Sequence, residues 1–421
     1  GVNFQKFNSE SQGWIDYLRV GAIRNLAMTG NQMRFRDARL VSAGSITEFQ
    51  MSSANNVATI WDVTNPIQPE KVSFTPGAAI TWKSETSTLR EFIAFANAGY
   101  LTPVARGSVT NQDLHALSNI DYVIVTAPGH TSYAQELAEI HVAEGWSTLV
   151  VTPEQVFNEF SSGNPDVTAI RTMMKMFYDR AAGDYELAPK ELLLFGDGTY
   201  LDNKGLKSQQ GYNVMVFESN NSISPLSSYV SDDYFVYLDD NENGAATNKL
   251  DCGVGRIPAS DASEAEAYLK KLKLYVADNS SPTGDAYCVG DATESPYGQW
   301  RNTLTFVSDD QDGDGLAFEQ IHLETSDDMA DSVAKYHPSF DLVKLYMDAF
   351  KQTVTPGGER YNEGSEAIKQ RVENGSLLVT YIGHGGHKGF AHERILTIPT
   401  ISGWTNISKL PVFLTATCEL A

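Results

Sequence analysis

From residue 119 onward, short runs that are apolar throughout alternate with longer amphipathic segments, and this alternation constrains the fold more than any other feature of the chain. Asp-Tyr-Val-Ile-Val-Thr (121–126), Trp-Ser-Thr-Leu-Val-Val (146–151) and Glu-Leu-Leu-Leu-Phe (191–195) have the length of strands and little polar face. A strand apolar on both sides must be covered on both sides. Helices between successive strands supply that cover, so the pattern predicts a parallel α/β sheet. Helices are expected over 131–144, capped by Thr131 or Ser132 and stopped at Gly145, and from Asp166 to about Ala182. A long stretch with few periodic signals, 196–252, precedes 253–258 and a helix whose Ser263 and Glu266 fit a capping box. Further strands are predicted at 287–289, 341–346, 376–382 and 410–417, with a helix over 365–373 closed by Gly375.

The first 115 or so residues have a different texture, with Thr, Ser, Asn and aromatic residues set between turn signals and half-exposed strands at 45–51, 58–63 and 78–83. The expected architecture is an N-terminal all-β domain (1–118), a sandwich, followed by two parallel-sheet α/β subdomains (119–283 and 284–421). No internal repeat is legible between the two.

Thirty-one basic residues face 53 acidic ones, a formal net charge of -22 that repels phosphate backbones and argues against nucleic acid as a partner. No run reaches the roughly 18 apolar residues that span a bilayer. The chain opens Gly-Val-Asn rather than with Met, as expected of a processed or trimmed piece. Three cysteines are too few for a disulfide scaffold, and Cys252 and Cys288 sit in strand-like contexts that suit small buried side chains.

Chemistry concentrates near the end. In an open parallel sheet, ligands bind beyond the carboxyl ends of the strands. His384, in Gly-His-Gly-Gly-His (383–387), follows one predicted strand at that end, and Cys418 follows the next. An imidazole and a thiol delivered to one sheet edge are what a cysteine nucleophile needs: a base to take the thiol proton and return it to the leaving amine, with N–H groups nearby for the oxyanion. Gly385 can take φ > 0 and admit a substrate backbone, so its N–H is a candidate oxyanion donor beside that of Cys418. The same residues leave two alternatives open. Cys418 can be a buried strand-end thiol with His384 as a turn cap, or His384, His387 and His392 can supply three imidazoles to zinc.

The strand ending in Gly-His-Gly, followed about thirty residues later by a strand ending in Cys, resembles the gingipain family of cysteine peptidases, whose fold is of the caspase and legumain type. Leu-Leu-Leu-Phe-Gly-Asp-Gly (192–198), Ser-Asp-Asp-Tyr-Phe (231–235) and Gly-Val-Gly-Arg-Ile-Pro (253–258) match in the same order. Within the family the chain is most similar to the surface sortases of the type IX secretion system, a likeness that extends forward through Val-Thr-Pro-Glu-Gln-Val-Phe (151–157) and Ile-Trp-Asp-Val-Thr-Asn-Pro (60–66) to Phe-Arg-Asp-Ala-Arg (35–39).

The resemblance implies Cys418 as nucleophile, His384 as general base and Gly385 in the oxyanion hole. It also implies an orienting carboxylate after a strand of the second α/β unit, where Asp291 and Glu294 are the candidates. The implied reaction is acyl transfer: the C-terminal sorting domain of a cargo protein leaves, and the thioester passes to water or to an amine of lipopolysaccharide. The implied setting is the bacterial cell surface, with attachment to the outer membrane through a barrel partner and other secretion-system subunits. The resemblance further implies a chain that continues beyond Ala421. An endopeptidase that only hydrolyses shares every one of these residues, and a surface-assembly module with an idle cysteine is a third class.

No cofactor is expected for the chemistry. Structural calcium has two candidate loops. Asp310, Asp312 and Asp314 stand at the first, third and fifth positions before a glycine, as in an EF-hand, although position twelve is Ile321 rather than Glu. Asp239, Asn241 and Asn243 before Gly244 repeat the spacing with weaker ligands.

Overall fold

The predicted strands of the first hundred residues pair as antiparallel sheets in the computed structural model, which describes residues 5–6, 18, 20–96, 99–105, 107–198, 211, 213–219, 229–242, 248–276, 298–311, 320–386 and 388–417. The chain divides into two compact units between Thr110 and Asn111. In the first, β1 (Gln32–Arg36), β2 (Ile46–Ser52), β3 (Val57–Asp62), β4 (Glu70–Lys71), β5 (Ala79–Glu85) and β6 (Glu91–Ala96) form two sheets, ordered β1-β6-β3-β4 and β2-β5. Alternate residues of β2 and β5 turn inward, so Phe49, Met51, Ile80 and Trp82 meet Ile60, Phe92 and Ala94 of the other sheet in one core. Phe49 stacks on Trp82 with centroids 5.2 Å apart. β6 lacks alternation and buries five of its six residues, because it lies between β1 and β3.

The second unit begins with β7 (Tyr122–Thr126), α1 (Thr131–Ala143), β8 (Thr148–Val151), α2 (Pro153–Phe160), α3 (Val167–Ala181) and β9 (Glu191–Phe195). A small antiparallel pair follows, β10 (Phe217–Glu218) with β11 (Val230–Ser231), then β12 (Gly253–Ile257) and α4 (Ala262–Val276). The parallel sheet has the order β12-β9-β7-β8. Its apolar residues divide by period two as the sequence requires. Val123, Val125, Leu192 and Leu194 pack against α2 and α3, while Ile124, Leu193 and Phe195 pack against α1 and α4.

Helix ends follow local chemistry, with two corrections. Asp166 caps α3 by accepting the Thr168 N–H at 2.8 Å, as expected, and Gly145 (φ 94) ends α1. Neither Thr131 nor Ser132 caps α1, however. Its capping position is His130, without a side-chain bond, because the chain enters through a 3-10 turn at Pro128–His130. The capping residue of α4 is Asp261, which accepts the Glu264 N–H, while Glu264 reaches back to the Ser260 N–H at 2.8 Å; the pair Ser263 and Glu266 lies inside the helix.

Three of the words that carry the family resemblance meet at one side chain. Arg256 donates two bonds to the Asp232 carboxylate, each 2.8 Å, and others to the carbonyls of Gly196, Val214 and Met215. A guanidinium whose fork is filled in this way ties β9, β12 and the intervening insertion together.

The remainder comprises β13 (Thr303–Ser308), α5 (Gln320–Tyr336), β14 (Asp341–Tyr346), the hairpin β15 (Thr353–Thr355) and β16 (Gly358–Arg360), α6 (Asn362–Asn374), β17 (Leu378–Ile382), a short hairpin of β18 (Gly385–Gly386) and β19 (Gly389–Phe390), α7 (Ile398–Ser402) and β20 (Val412–Ala416). Strands 13, 14, 17 and 20 form a second parallel sheet, ordered β14-β13-β17-β20. Numbered by sequence within each sheet, both orders are 2-1-3-4, an internal repeat of topology that the residues do not display. The strand predicted at 287–289 lies outside the described residues. The strand that heads this sheet, β13, was not expected from the residue pattern, and neither was α5.

Candidate active site

The site is built at the carboxyl edge of the second sheet. β17 pairs with β20 up to Ile382 and Ala416, two positions short of His384 and of Cys418 respectively; Cys418 lies outside the described residues. On the other side β17 pairs with β13 up to Ser308, so the residue leaving β13 is Asp309. Its N–H donates to the Ile382 carbonyl at 3.1 Å, and the Gly383 N–H donates to the Ala416 carbonyl at 3.3 Å. Three adjacent strand ends are thereby fixed to one another immediately before the chain turns out of the sheet.

Asp309 is a buried carboxylate that the residue pattern did not single out. Its carboxylate accepts the His384 backbone N–H at 2.9 Å and the Asp310 N–H at 3.1 Å, and one of its oxygens lies within 4.8 Å of a His384 ring nitrogen. Burial, reinforced by the neighbouring Asp310 and Glu393 carboxylates, pushes Asp309 up to about 7, although the two N–H donors favour its charged form. The signal that could have found it was the run Thr-Leu-Thr-Phe-Val-Ser before a pair of aspartates, rich in β-formers but broken by hydroxyls. Asp291 and Glu294 lie outside the described residues.

Gly383 explains why a glycine precedes the histidine. A Cβ there would stand 2.5 Å from the Asp309 Cβ and 2.5 Å from the Tyr381 hydroxyl oxygen, so only hydrogen lets Asp309 approach. Gly383→Ala is therefore expected to displace Asp309 and to cost about 1–3 kcal/mol of stability, read from urea unfolding, with a larger loss of cleavage than of fold. Tyr381 is fully buried, stacks on Phe390 with centroids 4.2 Å apart and donates its hydroxyl to the His384 carbonyl at 2.6 Å. That carbonyl also accepts the Ala391 N–H at 2.8 Å, which fixes the backbone of His384 from two sides.

Gly385 does not take φ > 0. It stands in β18 opposite Phe390, and the left-handed glycine of this loop is Gly389 (φ 137), where a Cβ would meet the Leu396 carbonyl oxygen at 2.1 Å. The bond from Ala391 to His384 makes Gly385 and Phe390 the non-hydrogen-bonded pair of the ladder, so the Gly385 N–H points away from β19. The orientation of that N–H is set by strand pairing rather than by glycine's special conformations.

The other histidines fall out unequally. His392 is exposed and lies parallel to the His384 ring at 5.1 Å, and His387 lies outside the described residues. His322 of α5 meets His384 edge to face, centroids 4.9 Å apart. Among the described residues, two sets have metal-ligand atoms within 4.8 Å of one another: Asp309, His322 and His384, and the buried acids Asp309, Asp310 and Glu393. Asp310, first residue of one candidate calcium loop, also accepts the Tyr361 hydroxyl at 2.8 Å; Asp312 and Asp314 lie outside the described residues. In the other loop Asp239 is exposed and accepts the Tyr178 hydroxyl at 3.2 Å, Asn241 is exposed, and Asn243 lies outside the described residues.

A carboxylate and an imidazole at the carboxyl edge of a parallel sheet, beside the strand that leads to the chain's last cysteine, fit the class of cysteine peptidases. Residues 115–421 match the model of peptidase family C25, and the chain belongs to that family. Among solved structures it is similar to dimeric latent PorU from Porphyromonas gingivalis, at 28% identity and a TM-score of 0.52 over 59% of this chain. The match spans 25% of that PorU chain. The Arg-specific cysteine proteinase gingipain R is similar at 14% identity and a TM-score of 0.46, over 70% of this chain and 54% of its own. The complex of the pro- and mature domains of RgpB from Porphyromonas gingivalis gives 13% identity and a TM-score of 0.47, with 70% and 55% covered. No curated protein sequence matches. Among the described residues, no helix is long and apolar enough to cross a membrane.

Proposed function

We propose that the chain carries the catalytic core of a cell-surface cysteine peptidase of the sortase kind, which removes C-terminal sorting domains from type IX secretion cargo. The observation that carries this is the pairing of the His384 backbone with Asp309 at the sheet edge, two residues past the last β17–β20 pair. Family membership supports the peptidase chemistry, and the similarity to PorU supports the sortase branch.

In this mechanism His384 takes the Cys418 thiol proton, and the thiolate adds to the carbonyl carbon of the scissile bond. The N–H groups of Gly385 and Cys418 hold the oxyanion, and Asp309 orients the imidazole and stabilises its charged form. Collapse of the tetrahedral intermediate expels the amine of the sorting domain, which takes the proton from His384 and leaves a thioester on Cys418. Water or a lipopolysaccharide amine then attacks, passing its proton to His384 as the thiolate departs. The partners are cargo, an outer-membrane barrel and other surface subunits, and calcium at 310–314 or 239–243 is structural.

The test is mass spectrometry of a cargo protein carrying its sorting domain, incubated with the full-length enzyme and lipopolysaccharide. A product heavier than the hydrolysed one is expected. Hydrolysed product alone, at every acceptor concentration, would favour the endopeptidase that only hydrolyses, and uncut cargo would favour the assembly module.

A further inference from the structure

Three side chains of types that can ligate a metal approach one another from separate elements: Asp309 leaving β13, His322 in the first turn of α5, and His384 leaving β17. One donor atom from each lies within 4.8 Å of the other two. We propose that these residues form a binding site for a zinc-like divalent cation, and that its occupancy switches the peptidase off by engaging the base.

The donor set selects the metal. Two imidazoles and one carboxylate suit zinc and its neighbours, whereas calcium and magnesium require oxygen throughout. A tetrahedral zinc ion with bonds of about 2.0–2.1 Å holds its ligand atoms roughly 3.3 Å apart, so modest side-chain rotation closes the set. Three protein ligands leave a fourth position for solvent or another donor. The carboxylate is already oriented, because Asp309 accepts the N–H groups of His384 and Asp310. A ligand held by such bonds loses little freedom on binding. His322 and His384 have ring planes at 86°, so their in-plane nitrogens can converge on a shared ion. His392, parallel to His384 at 7°, holds its nitrogens in a separate plane and does not join the set. This set differs from the zinc alternative of His384, His387 and His392, of which His387 lies outside the described residues.

Inhibition follows if His384 is the general base, and in that respect the inference rests on the proposed function. An imidazole whose lone pair is on a metal cannot take a proton from Cys418. His322 has no part in the proposed chemistry, so its substitution separates binding from catalysis.

The experiment titrates the full chain with cobalt(II), read by visible absorption, and then with zinc in competition against a chromophoric chelator. Thermal unfolding with and without zinc provides a readout independent of activity. One tetrahedral site is expected in the wild type. His322→Gln is expected to weaken zinc binding by at least about 10- to 100-fold, to abolish the zinc-dependent rise in Tm, and to keep the wild-type cleavage rate in chelator. Equal zinc affinity in wild type and His322→Gln overturns the site. Zinc bound through His322 without slowing cleavage overturns the switch. Absence of cleavage in metal-free buffer counts against the proposed function alone, since the cobalt spectrum and the Tm shift still decide whether the site exists.

Discussion

Cys418→Ala is expected to lower peptide-bond cleavage by roughly 10⁴- to 10⁶-fold while leaving the unfolding midpoint unchanged, and adding His384→Ala to it is expected to cost almost nothing more. Residues that act as one unit are non-additive: without the thiol, the imidazole has no proton to accept. A double variant much slower than the single would mean that His384 acts by another route. Cleavage retained by Cys418→Ala would remove the thioester from the mechanism. Labelling with an iodoacetamide probe supplies a second measurement. Cys252 is its internal control, because burial pushes that thiol up to about 12. Cys418 labelling no faster than an ordinary thiol with a pKa of about 8.5 would favour the idle module.

Asp309→Asn tests the carboxylate through two signs at once. Activity is expected to fall by roughly 10²- to 10⁴-fold, because a neutral amide cannot stabilise the imidazolium. Stability should respond to pH in the opposite sense from an ordinary ion-paired carboxylate. The pKa of Asp309 in the folded state is raised from 3.8 to about 7, so the native protein keeps a proton that the unfolded chain releases. Wild-type stability therefore loses a contribution of the order of 1–4 kcal/mol as pH rises through that window. Asn carries no such proton, and the variant should lack this part of the slope. The slope is the readout rather than the absolute stability, since Asn keeps an acceptor for only one of the two N–H donors that Asp309 serves. Urea unfolding of both proteins at several pH values between 4 and 8 measures it, and identical slopes would show that Asp309 is not the perturbed group.

Much of this site was legible before the fold. Apolar runs without a polar face required a parallel sheet, and strand polarity then put His384 beyond a carboxyl end of such a sheet, beside the strand that leads toward Cys418. β13 escaped because three of its six residues carry hydroxyls, which reads as a half-exposed segment, yet all six are buried. The Thr305 hydroxyl is satisfied by the Ser376 hydroxyl at 2.7 Å, 71 positions away, a pairing that no local window contains. With that strand went the carboxylate at its end. The expected conformation of Gly385 failed for a related reason: glycine permits φ > 0, but whether it is used depends on the partner strand, here β19.

By itself, the sequence determined which segments are strands apolar on both faces, their parallel sense, and hence the edge at which His384 leaves the sheet. Those properties follow from local composition and the period of two. Only the tertiary structure decided which carboxylate and which second imidazole stand beside His384. Asp309 and His322 precede His384 by 75 and 62 positions. Their approach is set by sheet order 2-1-3-4, by the register that ends β13 level with β17, and by the missing Cβ of Gly383. Order and register are properties of how strands pair across the whole unit, so neither can be read from any one stretch of residues.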